Sequence, residues 1–167
     1  VKYDYSIYLN ILGKDITGKT SFLKRIKLYD DYKSFKEFTA KYNPSDGIDI
    51  DDIISKYNNK IFKFLLWDSA GQDIYRDIVL IPCKMGDCIL IFYDALDKES
   101  FEKAKVYYEE ALKVNKKKAI YFLIRSKYDL KCNSDNNEIV SDEEALIFAD
   151  KNNLIFAHIS PLEKDEN

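Results

Sequence analysis

"GKDITGKT", Gly13 to Thr20, stands between the apolar run "SIYLNIL" and the stretch "SFLKRIKLY". Ile7, Leu9 and Ile11 alternate with Tyr8 and Asn10, and Leu12 leads straight into Gly13, the pattern of a strand delivering the chain to a turn. Phe22, Leu23, Ile26 and Leu28 then recur at near-helical spacing. Within this strand, loop and helix, Gly13-x-x-x-x-Gly18-Lys19-Thr20 meets the phosphate-binding pattern in full. Glycines at these positions let backbone N–H groups turn inward on phosphate oxygens at a helix N-terminus, where the dipole favours anions. Lys19 is placed to reach the outer phosphates as a point charge, and the Thr20 hydroxyl to ligate Mg2+. Two residues in the loop are foreign to this chemistry. Asp15 brings a carboxylate toward phosphate oxygens, and Ile16 is β-branched, poorly suited to any backbone with positive φ.

Beyond the loop the chain alternates strands with helices. "GIDIDDIISKYNNKIFKFLLWD" holds two β-rich stretches separated by Asn58 and Asn59, which tolerate left-handed backbone and suit a hairpin turn. "DCILIFYD" and "AIYFLI" are continuous apolar strands of the kind buried on both faces, and "LIFAHIS" is the last strand. "LDKESFEKAKVYYEEALK" has an N-cap in Asp97 and a helical stripe at Phe101, Ala104, Tyr108 and Leu112. "SDEEALIFADKNN" opens on a capping box, Ser141 with Glu144, and closes on asparagines suited to a helix end. Six strands, mostly parallel with one antiparallel hairpin strand, and helices on both faces define an α/β fold.

The 167 residues fit one domain, with 46% apolar and 33% charged content and a net charge of −3 from interspersed lysines and acids. No broad basic face argues for nucleic acid, and no apolar run approaches membrane-spanning length. Cys83, Cys88 and Cys132 show no metal-ligand spacing and read as reduced thiols. His158 is the only histidine and is structural. "NKKK" at 115–118 reads as a solvated helix end, and "DIDD" at 49–52 as a solvated strand edge.

A phosphate loop alone leaves ATPase, kinase and GTPase open. "FLLWDSAGQD" puts Asp68 at the end of a buried strand, where a carboxylate holds Mg2+ directly or through water. Gly71 is positioned to offer its N–H to a terminal phosphate, and Gln72 to orient an attacking water. "WDSAGQD" resembles the WDTAGQE segment of Ras-like small GTPases, and of the Rab family in particular. The resemblance extends over nearly the whole chain. "GDCILIFYDALDKESFEK" is similar to the Rab stretch through YDVTDxESF, "YNPSDGIDI" to YxxTIGVDF of the first switch, "IRSKYDL" to GNKxDL and "HISPL" to the ETSAK loop.

The resemblance implies a P-loop NTPase fold in a single small-GTPase domain, residues 1–167, that stops where the family's last helix begins. It implies GTP/GDP and Mg2+ as cofactors, with Thr20, Ser45 and Asp68 on the metal and Lys19 and Gln72 as the catalytic pair. Gly13, Asp15, Ile16, Thr17, Gly18, Lys19, Thr20 and Ser21 line the phosphates, and Gly71 faces the last of them. Phe38 stacks on guanine, Asp129 accepts from guanine N1 and N2, and the Lys127 stem packs on the base. Ser126 replaces the family's Asn, and Ser160, Pro161 and Leu162 form the loop near guanine O6. A carboxylate offers only acceptors, which complement the adjacent donors of guanine and face adenine unpaired. The implied role is a monomeric switch in vesicle trafficking, cytoplasmic or peripheral on the cytosolic face of membranes. Its partners are an exchange factor, a GTPase-activating protein and effectors met through the switch regions, with membrane contact only through a C-terminal tail not present here. The alternative is a pseudo-GTPase scaffold that binds nucleotide without turnover or binds none at all, motivated by Asp15, Ile16 and Ser126. "RIKLYDDYKSFKE" at 25–37 is longer than the family's link, and "IPCKMGD" at 81–87 replaces its YYRGA.

Overall fold

The computed structural model describes residues 2–27, 48–127 and 140–159. Strand β1 (Tyr5–Gly13) runs into helix α1 (Lys19–Lys27); strands β2 (Ile48–Tyr57) and β3 (Lys60–Ser69) follow as an antiparallel pair. A short helix α2 (Arg76–Val79) lies between 3-10 turns at Asp73–Tyr75 and Pro82–Met85. Then come β4 (Cys88–Asp94), α3 (Lys98–Val114), β5 (Ile120–Ser126), α4 (Asp142–Asn152) and β6 (Ile155–His158). The sheet order is β2-β3-β1-β4-β5-β6, parallel at every junction except β2 with β3.

Local signals set the turns. Asn58 and Asn59 adopt φ of 47° and 59°, the left-handed pair that a two-residue hairpin needs to match strand twist. Asp97 caps α3 by accepting from the Ser100 N–H, and Ser141 caps α4 by accepting from Glu144. Asn153 closes α4 in the left-handed conformation.

Two apolar layers hold the sheet between helices. On one face, Leu12, Ile89, Ile91, Tyr93 and Leu123 pack with Phe101, Ala104 and Tyr108 of α3 and Ala145 and Ala149 of α4. On the other, Ile11, Leu66, Leu90, Phe92 and Ile124 pack with Leu23 of α1. Each such large side chain contributes about 1.5–3 kcal/mol when fully buried. The α3 stripe differs from expectation at its end, because Leu112 is 52% exposed and Ala111 is buried instead. At about 100° per residue the buried arc runs from Tyr107 to Phe101 and centres near Ala104, so Leu112 falls just outside it. Asn115 is also more than a solvated helix end: its side-chain amide donates to the carbonyls of Cys83 and Gly86. The "DIDD" run does lie on the edge strand, where Asp52 pairs with Lys63 at 3.2 Å.

The register aligns the chain's chemistry. Ile11 sits beside Asp68, Gly13 beside Phe92 and Asp94 beside Ser126. The loops that follow β1, β3, β4 and β5 therefore emerge together at the carboxyl edge, where open α/β sheets bind ligands.

Candidate nucleotide site

At the end of β1 the backbone must pass close to β4. Gly13 has φ of 144°, and a Cβ there would stand 2.5 Å from the Phe92 carbonyl oxygen, so only glycine fits. Gly18 also takes a positive φ, 86°. Between them Ile16 holds φ of 60° with its side chain turned outward to solvent. The loop thus keeps its left-handed turn in spite of the β-branched residue, at a strain of about 1–3 kcal/mol. Phe22 N–H donates to the Gly18 carbonyl, and α1 begins.

Lys19 folds back over the loop. Its ammonium is buried and donates to the carbonyls of Gly13 and Lys14, both at 2.8 Å. Burial lowers its pKa to about 8, against the opposing pull of the Asp68 and Asp15 carboxylates. The Lys14 carbonyl takes a second donor, the Thr17 hydroxyl at 2.7 Å. Ser21 occupies the first turn of α1 and is half-buried.

Thr20 donates its hydroxyl to Asp68 Oδ2 at 2.7 Å, while Asp68 Oδ1 is buried with no hydrogen-bond partner. Burial raises the Asp68 pKa, opposed by the Thr20 hydrogen bond and the Lys19 charge, and Asp49 across the hairpin raises it further. A buried carboxylate oxygen lacking a donor, next to a hydroxyl, is a hard-oxygen pair that fits Mg2+. Among the described residues no cluster of three or more His, Cys, Asp or Glu is placed to hold a metal ion.

Gly71 packs directly on the loop. Its carbonyl accepts the Asp15 N–H at 3.2 Å, and a Cβ at Gly71 would lie 2.1 Å from the Asp15 nitrogen. Gln72 follows, half-buried, its carbonyl starting the next turn by accepting from Tyr75.

The end of β5, where the resemblance puts base reading, is built differently. Ser126 is fully buried and donates its hydroxyl to the Tyr93 carbonyl at 3.0 Å, pointing into the sheet. A Cβ built at Gly18 would lie 3.7 Å from the Ser126 Cβ, so the two segments touch. Lys127 has φ of 54°, and its ammonium pairs with Asp94 Oδ2 at 2.5 Å. Beneath them Arg125, 1% exposed, pairs with Asp142 and the Val140 carbonyl, joining β5 to the start of α4. The structure therefore brings together Gly13 to Ser21, Asp68, Gly71, Gln72, Ser126 and Lys127. Phe38, Ser45, Asp129, Ser160, Pro161 and Leu162 lie outside the described residues.

Sequence reasoning missed Lys14 and the acids that meet it. Lys14 donates to Asp97 at 2.9 Å and to Glu99 at 2.8 Å, and these hydrogen bonds raise its pKa. Asp97 was legible only as a helix cap, and pairing across 83 residues leaves no local signal. Among the described residues no helix is long and apolar enough to cross a membrane.

A profile of the Ras family matches residues 9–166. The GTP-binding protein YPT1 of Saccharomyces cerevisiae is 30% identical over 162 residues, covering 97% of this chain and 73% of YPT1. Ras-related protein Rab11B of Nicotiana tabacum is 28% identical, with 96% of this chain and 69% of that protein covered. Ras-related protein Rab-2B of Dictyostelium discoideum is also 28% identical, at 95% and 73% coverage. With a phosphate loop, a Thr20–Asp68 pair and a six-stranded sheet parallel but for one hairpin, the chain belongs to the Ras family as a divergent, Rab-like small GTPase.

Proposed function

We propose that this chain, as one small-GTPase domain, is a guanine-nucleotide switch that binds GDP and GTP with Mg2+ and hydrolyses GTP slowly. The observation that carries the reading is the hydrogen bond from Thr20 to the buried Asp68 carboxylate beside the buried Lys19 ammonium, at the sheet edge where Ser126 and Lys127 also emerge. Lys19 binds the outer phosphates by trading its two carbonyl acceptors for phosphate oxygens, aided by loop amides. Thr20 and Asp68, joined by Ser45, hold the metal. Bound Mg2+ supplies neutralisation of phosphate charge.

Gly71 faces the terminal phosphate from its seat on Asp15, and Gln72 orients the attacking water. Asp15 opposes both: its carboxylate lies within electrostatic reach of Lys19 and adds negative charge where phosphate oxygens converge. Phe38, Asp129 and the Ser160–Leu162 loop complete the guanine pocket. The relatives are GTP-binding and Ras-related Rab proteins, which supports nucleotide binding here, and the same reading gives the chain a place in membrane trafficking on a cytosolic surface. Regulators and effectors then dock on the switch segments.

The test is nucleotide content and turnover. Purified protein extracted into acid should release GDP or GTP near one per chain, and single-turnover GTP hydrolysis should disappear in Gln72→Leu. Absence of bound nucleotide, with no uptake from micromolar GDP and Mg2+, overturns the reading. Binding without turnover instead supports the pseudo-GTPase reading, which Asp15 and the inward Ser126 hydroxyl favour. Restoration of turnover by Asp15→Gly would then assign the block to that carboxylate.

A further inference from the structure

The segment that joins β4 to α3, Asp94 to Glu99, touches both the phosphate loop and the end of β5. Its Asp97 and Glu99 receive the Lys14 ammonium, and its Asp94 receives Lys127. Ala95 N–H donates to the Ser126 carbonyl, and the Ala95 carbonyl accepts from Val140, where the chain re-enters after the base-reading loop. The acids are themselves held. Asp94 Oδ1 accepts the Leu96 N–H, Asp97 Oδ1 accepts the Ser100 N–H, and the Ser100 hydroxyl meets the Asp94 N–H at 2.9 Å.

Lys14 is fixed at both ends. Its side chain is only 19% exposed although it carries a charge, and its own carbonyl is one of the two that hold the Lys19 ammonium. A displacement of Lys14 therefore moves the group that aims Lys19 at phosphate. Lys127, at the opposite end of the site, is tethered to the same turn.

We propose that Lys14 is a positioning residue for bound nucleotide: clamped by Asp97 and Glu99, it fixes the backbone that holds Lys19, and the acidic turn sets the phosphate loop against the base-reading segment. This rests on the nucleotide-binding reading above. The bland alternative is a surface lysine whose stem packs on the loop while its charge does nothing, and the two differ in what the charge controls.

Release of a fluorescent GDP analogue from Mg2+-loaded protein tests this. Lys14→Met keeps the stem and removes the charge, and should speed release by about threefold to tenfold, the range of a part-buried double ion pair. Lys14→Arg should return the rate to within about twofold of the parent, since a guanidinium can fork onto both acids. Glu99→Gln should speed release as well, and combined with Lys14→Met should add less than the sum of the two. Added KCl should accelerate release from the parent and leave Lys14→Met nearly unchanged. In nucleotide-free protein, the amides of Gly13 to Thr20 should exchange hydrogen faster in Lys14→Met. Equal release from the parent and Lys14→Met, or additive effects with Glu99→Gln, overturns the clamp while leaving nucleotide binding intact. Parent protein that takes up no analogue overturns the nucleotide reading and the clamp with it. Should Lys14→Met fail to fold, Glu99→Gln on the exposed face of α3 and the parent's salt dependence decide the matter.

Discussion

The proposed phosphate end and the proposed base end of the site tolerate sequence change in opposite ways. The phosphate loop carries two foreign residues and keeps its shape: Ile16 accepts φ of 60°, Gly13 and Gly18 stay positive, and Lys19 stays buried over two carbonyls. The base end has Ser126 in place of Asn, and its hydroxyl turns away to the Tyr93 carbonyl. Phosphate is gripped by backbone amides and one cation, which most side chains in the loop do not disturb. A base is read by specific side-chain atoms, and a shorter side chain loses them outright.

Removing the cation should break the phosphate end most severely. Lys19→Ala is expected to weaken GDP binding by about a hundredfold or more, since charge-assisted bonds to phosphate are worth roughly 1.5–3 kcal/mol each. Equilibrium titration with and without Mg2+ checks this. Chelation of Mg2+ should hasten release from the parent, whereas Asp68→Ala should release fast regardless of chelator.

Gly71→Ala comes next. The added Cβ would meet the Asp15 backbone, so this overpacking should cost about 1–3 kcal/mol in a denaturant melt of the nucleotide-free protein. Adding bulk at that contact tests whether Gly71 must seat on the loop.

The base end predicts the reverse, a gain. Ser126→Asn should slow GDP release by about tenfold, one or two modest hydrogen bonds restored. No change would mean that the buried seat beside Gly18 cannot present an amide, and that the weakness lies in the backbone rather than the side chain.

Ile16→Gly should have the smallest effect and stabilise. Relief of strain of about 1–3 kcal/mol, less roughly 0.5–1 kcal/mol for the freer unfolded chain, leaves about 1 kcal/mol. A rise in Tm of several degrees, with GDP affinity nearly unchanged, would show that the loop's shape never depended on the residue at this position.

Much of the fold was legible because its signals are local. The Asn58–Asn59 turn, the caps at Asp97 and Ser141, and the apolar strands each follow from a few adjacent residues and their backbone preferences. The α3 stripe was misjudged only at Leu112, where the angular width of the buried arc mattered and the spacing alone could not supply it. At the site, Gly13, Gly18, Lys19, Thr20 and Asp68 stood out through motif and strand context. Lys14, Asp94 and Glu99 did not, since each ion pair joins residues tens of positions apart.

By itself the sequence determined the turn chemistry, the alternation of strands and helices, and a phosphate loop at the end of β1, because periodicity, glycine freedom and capping act over a few residues. Only the tertiary structure decided which carboxylate meets which ammonium. Sheet register delivers β1, β3, β4 and β5 to one edge, and it is there that the Lys14 clamp, the Thr20–Asp68 pair and the inward Ser126 hydroxyl acquire their partners.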